Sequence, residues 1–182
     1  NYFKQAKEVI RFYEKYFGDY QWWEDGYKLV EVPYLGMEHQ SAVTYGNGFS
    51  IYNGVRSSSW AMYGVIDPLI IHETGHEWFG NSVTASDPTH IWIHEGLQVY
   101  SEALYFEDKF NSYPVSVDYL KSIKGRIANK IPIVGNEDEN HWALSGDTYM
   151  KGAWIMHTLR SAINNDTIWF EILKEFMVEN AR

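Results

Sequence analysis

Two histidines and two glutamates set the terms for any fold this chain can adopt. His72-Glu73-Thr74-Gly75-His76 is followed, after 18 intervening residues, by Glu95 within Trp92-Ile93-His94-Glu95-Gly96. Histidines four apart lie on one face of an α-helix and can grip the same metal ion. A carboxylate from a second helix can supply a third ligand, leaving one tetrahedral position for water. That is the donor set of a catalytic zinc site, not of a closed structural one. The spacing therefore asks for two helices packed side by side, with His72, His76 and Glu95 turned toward each other. Glu73, next to a ligand on the same helix, is placed to act as general base toward the water and then as acid toward the leaving amine.

The flanking pattern agrees with this demand. Asp67 suits an N-cap, Pro68 a first helical position and Gly80 a C-terminal cap, which predicts a helix carrying both histidines. A second helix is expected from Ile91 to Lys109 with Glu95 on it. Upstream, Phe3, Ala6, Ile10, Tyr13 and Phe17 recur at helical spacing up to Gly18. Residues 27–35 and 36–52 read as strand, the latter broken at Gly46-Asn47-Gly48, and 53–66 reads as loop. Further helices are expected over 114–129, 148–163 with Asp147 as N-cap, and 166–180. A strand-rich front of about residues 1–65 before an all-helical lobe of about 66–182 gives an α+β fold in a single domain. The chain starts inside a helical pattern and ends with a helix running, so it reads as a piece cut from a longer protein.

Composition narrows the function classes. With 45% hydrophobic and 17% aromatic residues in 182, the chain can bury a bulky core. A net charge of −9 argues against a nucleic-acid partner and favours a cationic ligand group such as a peptide amine. The absence of cysteine excludes disulfides and thiolate zinc ligands and leaves the cellular compartment open. No apolar run approaches the roughly 20 residues of a membrane span. His39, His90, His94, His141 and His157 read as structural or surface histidines. Glu102, seven residues after Glu95 on the same helical face, is a candidate to accept the far ring nitrogen of a ligating histidine. The same spacing equally suits a solvated helix carboxylate.

The stretch from His72 to Asn81 (HETGHEWFGN), together with Trp92-Ile93-His94-Glu95-Gly96, resembles the aminopeptidase N family of zinc peptidases, the gluzincins. That family also includes leukotriene hydrolase and puromycin-sensitive enzymes. Gly36-Met37-Glu38-His39 is similar to the family's Gly-x-Met-Glu-Asn motif, and Tyr149-Met150-Lys151-Gly152-Ala153 to its Tyr-x-Lys-Gly segment. The resemblance implies a thermolysin-like catalytic domain holding one zinc ion and acting on peptides with a free N-terminus. It gives Glu38 the substrate's α-amine, makes Gly36 and Met37 an edge strand beside the substrate backbone, and gives Tyr149 the oxyanion of the transition state. It also implies an N-terminal β-rich domain and a C-terminal helical domain that help wall the cavity. His39 and His94 depart from the family, each standing where asparagine is usual. An endopeptidase or epoxide hydrolase on the same scaffold, and a non-catalytic descendant, are the alternatives. The charge of Glu38 argues against the endopeptidase, and the intact ligand set against the descendant.

Overall fold

Aromatic residues at helical spacing build the first element. In the computed structural model, which describes residues 2–46, 66–138 and 145–182, a short 3-10 turn leads into α1 (Gln5–Phe17). Its buried stripe includes Val9, Ile10, Tyr13 and Phe17. Phe12 meets Tyr13 and Tyr105 edge to face at 5.0 and 5.3 Å, the arrangement aromatic quadrupoles favour.

Three short strands follow: β1 (Lys28–Glu31), β2 (Gly36–Met37) and β3 (Ala42–Tyr45), in spatial order β1-β3-β2. β1 runs parallel to β3 and β2 antiparallel to it, with Met37 opposite Thr44. The strand expected over 27–35 is cut short. Pro33 has no N–H to give a ladder, and the chain bends there before re-entering as β2. The strand and turn signals beyond Gly46, the loop signal over 53–65 and His141 lie outside the described residues.

Helix α2 (Pro68–Gly75) starts as the sequence asks, with the Asp67 carboxylate accepting from Leu69 N–H at 3.0 Å. It stops five residues before Gly80. His76 keeps a helical backbone, but Asn81 N–H turns back to the His76 carbonyl at 2.9 Å and the chain curls under the His76 ring. Helix α3 (Trp92–Phe110) carries Glu95, and α4 (Tyr113–Lys124) ends short of the expected residue 129. Asp147 opens α5 (Asp147–Ile163) but does not cap it. Its carboxylate instead accepts the backbone N–H groups of Ala128 and Asn129 at 2.7 and 2.6 Å, pinning the turn after α4. Helix α6 (Asp166–Asn180) is capped by Asn165, which accepts from Ile168 N–H at 3.2 Å.

The result is an α+β fold whose core lies between α3 and the helices around it. Two contacts position the site. Gly96 and Gly152 let α3 and α5 touch backbone to backbone, since a Cβ on either would fall within 2.8 Å of the other's Cα. Residues adjacent to this crossing, Glu95 and Tyr149, are thereby brought together. Behind α2, Tyr13 Oη and Gln98 Nε2 donate to the Ile71 carbonyl at 3.1 and 3.0 Å, fixing α1, α2 and α3 relative to each other. Among the described residues no helix is long and apolar enough to cross a membrane.

Candidate metal centre

His72 and His76 stand one turn apart at the C-terminal end of α2, and Glu95 faces them from the first turn of α3. The two Nε2 atoms are 3.2 Å apart, and Glu95 Oε2 lies 3.3 Å from the first and 3.5 Å from the second. A tetrahedral zinc with bonds of about 2.0–2.2 Å sets its ligand atoms about 3.3–3.6 Å apart. The observed triangle matches that edge length. Glu95 Oε2 is buried and has no hydrogen-bond donor, a costly state for a carboxylate unless a cation completes it. The donor chemistry, two imidazoles and one carboxylate with no thiolate, fits zinc in an open site.

The far ring nitrogens are held. Nδ1 of His72 meets Glu102 Oε1 at 2.6 Å, and Nδ1 of His76 meets the Phe79 carbonyl at 2.8 Å. Both contacts turn Nε2 toward the centre, where the neutral ring offers it as an acceptor. Glu102 is only 5% exposed and takes a second hydrogen bond from Tyr119 Oη, so it is not a solvated helix carboxylate. Sequence reasoning found Glu102 from its spacing but missed Tyr119 and the Phe79 carbonyl. The first comes from α4 with no local pattern to mark it, and the second is backbone.

All nine residues singled out in the sequence line one cavity of about 580 Å³: Gly36, Met37, Glu38, His72, Glu73, His76, Glu95, Glu102 and Tyr149. Gly36 is required there. A Cβ at this position would come within 2.7 Å of Glu73 Oε1, so a side chain would push the glutamate off its place. Carboxylate oxygens of Glu38 and Glu73 and a nitrogen of His76 fall within 4.8 Å of one another. The Tyr149 ring lies parallel to that of His72, centroids 6.3 Å apart. His94 stays out of the metal triangle. Its Nε2 accepts the Ala85 N–H at 2.8 Å, and burial pushes its pKa down. His39, the other departure from the motif, is exposed.

Electrostatics divide the carboxylates. Burial would raise Glu95, but the positive charge that His76 and His72 carry when protonated outweighs it and holds Glu95 well below the usual carboxylate range. Glu73 goes the other way: burial raises it, and the two histidines only partly offset this. One glutamate is thus an anion suited to a metal and its neighbour a carboxyl poised to exchange a proton. The Tyr149 phenol is pushed up by burial and by the charge of Glu95, so it stays protonated as a donor.

A model of the peptidase family M1 domain matches residues 2–182. The chain belongs to peptidase family M1. Endoplasmic reticulum aminopeptidase 2 of Homo sapiens is 28% identical over 193 residues, covering 96% of this chain and 20% of that protein. Among solved structures, the M1 zinc metallopeptidase of Deinococcus radiodurans superposes with a TM-score of 0.75 at 19% identity, over 97% of this chain and 36% of that one. Leukotriene A4 hydrolase of Saccharomyces cerevisiae gives 0.78 at 22%, over 96% and 28%. The chain spans about a fifth of the length of the curated relatives it matches.

Proposed function

We propose that this M1 domain is a zinc-dependent aminopeptidase that hydrolyses the first peptide bond of peptides with a free N-terminus. The observation that carries this reading is the meeting of a metal-spaced donor triangle, the buried Glu73 carboxyl and the Glu38 carboxylate in one cavity. His72, His76 and Glu95 would hold one zinc ion, which when bound supplies a Lewis acid that activates water and polarises the scissile carbonyl. Glu73 takes the proton of the attacking water and later delivers it to the leaving amine. Tyr149 donates a hydrogen bond from its phenol to the oxyanion that develops on the substrate carbonyl. Glu38 pairs with the substrate ammonium and so sets the cut one residue from the end. Gly36 and Met37 present backbone along which the substrate lies. The 182 residues act as one catalytic domain, and further domains of a longer parent would wall the rest of the cavity.

Release of an amino acid from a free aminoacyl anilide and from its N-acetylated twin tests the reading. Cleavage of the free substrate alone, abolished by a chelator and restored by zinc, is expected. Equal cleavage of both twins would remove Glu38 from its role and point to an endopeptidase. Glu73→Gln should keep its zinc and lose about 10²–10⁴-fold in kcat, the usual worth of a general acid–base group.

A further inference from the structure

We propose that Glu77 is a positioning residue that sets the Glu38 carboxylate for reading the substrate amine. This deepens the aminopeptidase reading and rests on it. Glu77 follows His76 directly, and its side chain is buried, 1% exposed. Its Oε1 accepts the backbone N–H of Ser41 at 2.6 Å, and its Oε2 faces Asn81 Nδ2 at 3.4 Å. The same Asn81 amide donates to the Glu38 carbonyl at 3.0 Å. One buried carboxylate therefore holds both ends of the short connection from Glu38 to Ser41.

That connection needs holding. Ser41 has φ of 59°, in the left-handed region that a residue other than glycine adopts when its neighbours impose it. Ala42 N–H closes the turn on the His39 carbonyl at 3.1 Å. On the other side, β2 fixes Glu38 through Met37, whose carbonyl accepts from Thr44 Oγ1 at 3.1 Å. Glu38 thus sits between a strand pair and a tether. The tether begins at the residue after a metal ligand, so the distance from metal to amine reader is set by one rigid turn.

A carboxylate is specifically suited to the task because it accepts at both oxygens. Glutamine at 77 can still accept from Ser41, but its amide would then turn a donor toward the donor of Asn81. Glu77→Gln breaks the link to Glu38 while preserving shape, and Asn81→Ala breaks the same link from the other side.

The test compares binding of an aminoacyl hydroxamate with that of its des-amino twin, in the protein as it is naturally expressed. Wild type should prefer the amine-bearing compound. E77Q and N81A should each lose about tenfold of that preference, as for a displaced hydrogen-bonded charge. The des-amino twin should bind both variants as it binds wild type, and each variant should hold one zinc. An unchanged preference in both variants overturns the proposal. A parallel loss of both affinities also overturns it, because Glu77 would then serve the metal turn and not Glu38. A wild type that does not prefer the amine overturns the role of Glu38 itself, which is distinguishable from failure of the tether.

Discussion

Glu102 stands between a metal-spaced histidine and a buried phenol, and its worth is measurable apart from turnover. Partners of this kind orient the ring and raise its basicity, and their loss typically costs 10–100-fold in metal affinity. Glu102→Ala should therefore weaken zinc binding by about that factor in competition with a chromogenic chelator. Unchanged affinity would mean that the 2.6 Å contact to His72 tunes nothing. Tyr149 answers to kinetics instead. Tyr149→Phe should lower kcat by about 10²–10³ with zinc content intact, because only the transition-state hydrogen bond is removed. A rise in KM at constant kcat would place Tyr149 in ground-state binding. The metal-spaced donors His72, His76 and Glu95 were legible as a cluster because their spacing is local: i and i+4 along one helix and its cap, then one residue on the next. Ser41, Asn81 and Tyr119 carry no such signal. Their contacts exist only once β3, α2 and α4 have been brought to one place.

Between elements, Arg160 on α5 ties α3 and α6 of the helical half together. Its buried guanidinium bonds Glu107 of α3 through two contacts of 2.8 Å and Asp166 of α6 through contacts of 2.8 and 2.9 Å. Glu107 also accepts from Ser116 of α4 at 2.9 Å. Arg160→Met strands Glu107 without its partner and should destabilise the domain by about 3–5 kcal/mol in urea denaturation. The pair has a pH signature. Arg160 holds the Asp166 carboxyl below its ordinary value, so folding favours the ionised form. Its contribution is present above the unfolded value of about 4 and is lost as pH falls below it. The Tm gap between wild type and Asp166→Asn should accordingly close in acid. A gap constant down to about pH 2 would refute the linkage. Among the described residues helix type was readable from periodicity, and so were the ends of α1, α3, α5 and α6 to within a residue, whereas those of α2 and α4 were not. Helix α2 stops at Gly75 because the turn beneath it serves the His76 ring, and Asp147 bonds residues 18 and 19 positions upstream, where no capping rule looks.

On the scale of the whole molecule, the metal donors are self-contained although the chain is about a fifth as long as its curated relatives. All three come from α2, its C-cap His76 and α3, and the groups that hold the far nitrogens of the two histidines come from α3 and the turn after α2. Metal binding can therefore be tested on these 182 residues. An ion that binds the folded chain and not the unfolded one stabilises it by about 2.7 kcal/mol at one hundred times its Kd. For a domain of this size each kcal/mol moves Tm by about 2–4 °C, so saturating zinc should raise Tm by about 5–10 °C over the chelated protein. Glu95→Gln should lose most of that increment, since a neutral amide replaces the only anion in the triangle. Zinc that leaves Tm unchanged in wild type would mean that the 3.2–3.5 Å triangle is a packed polar cluster and not a ligand set.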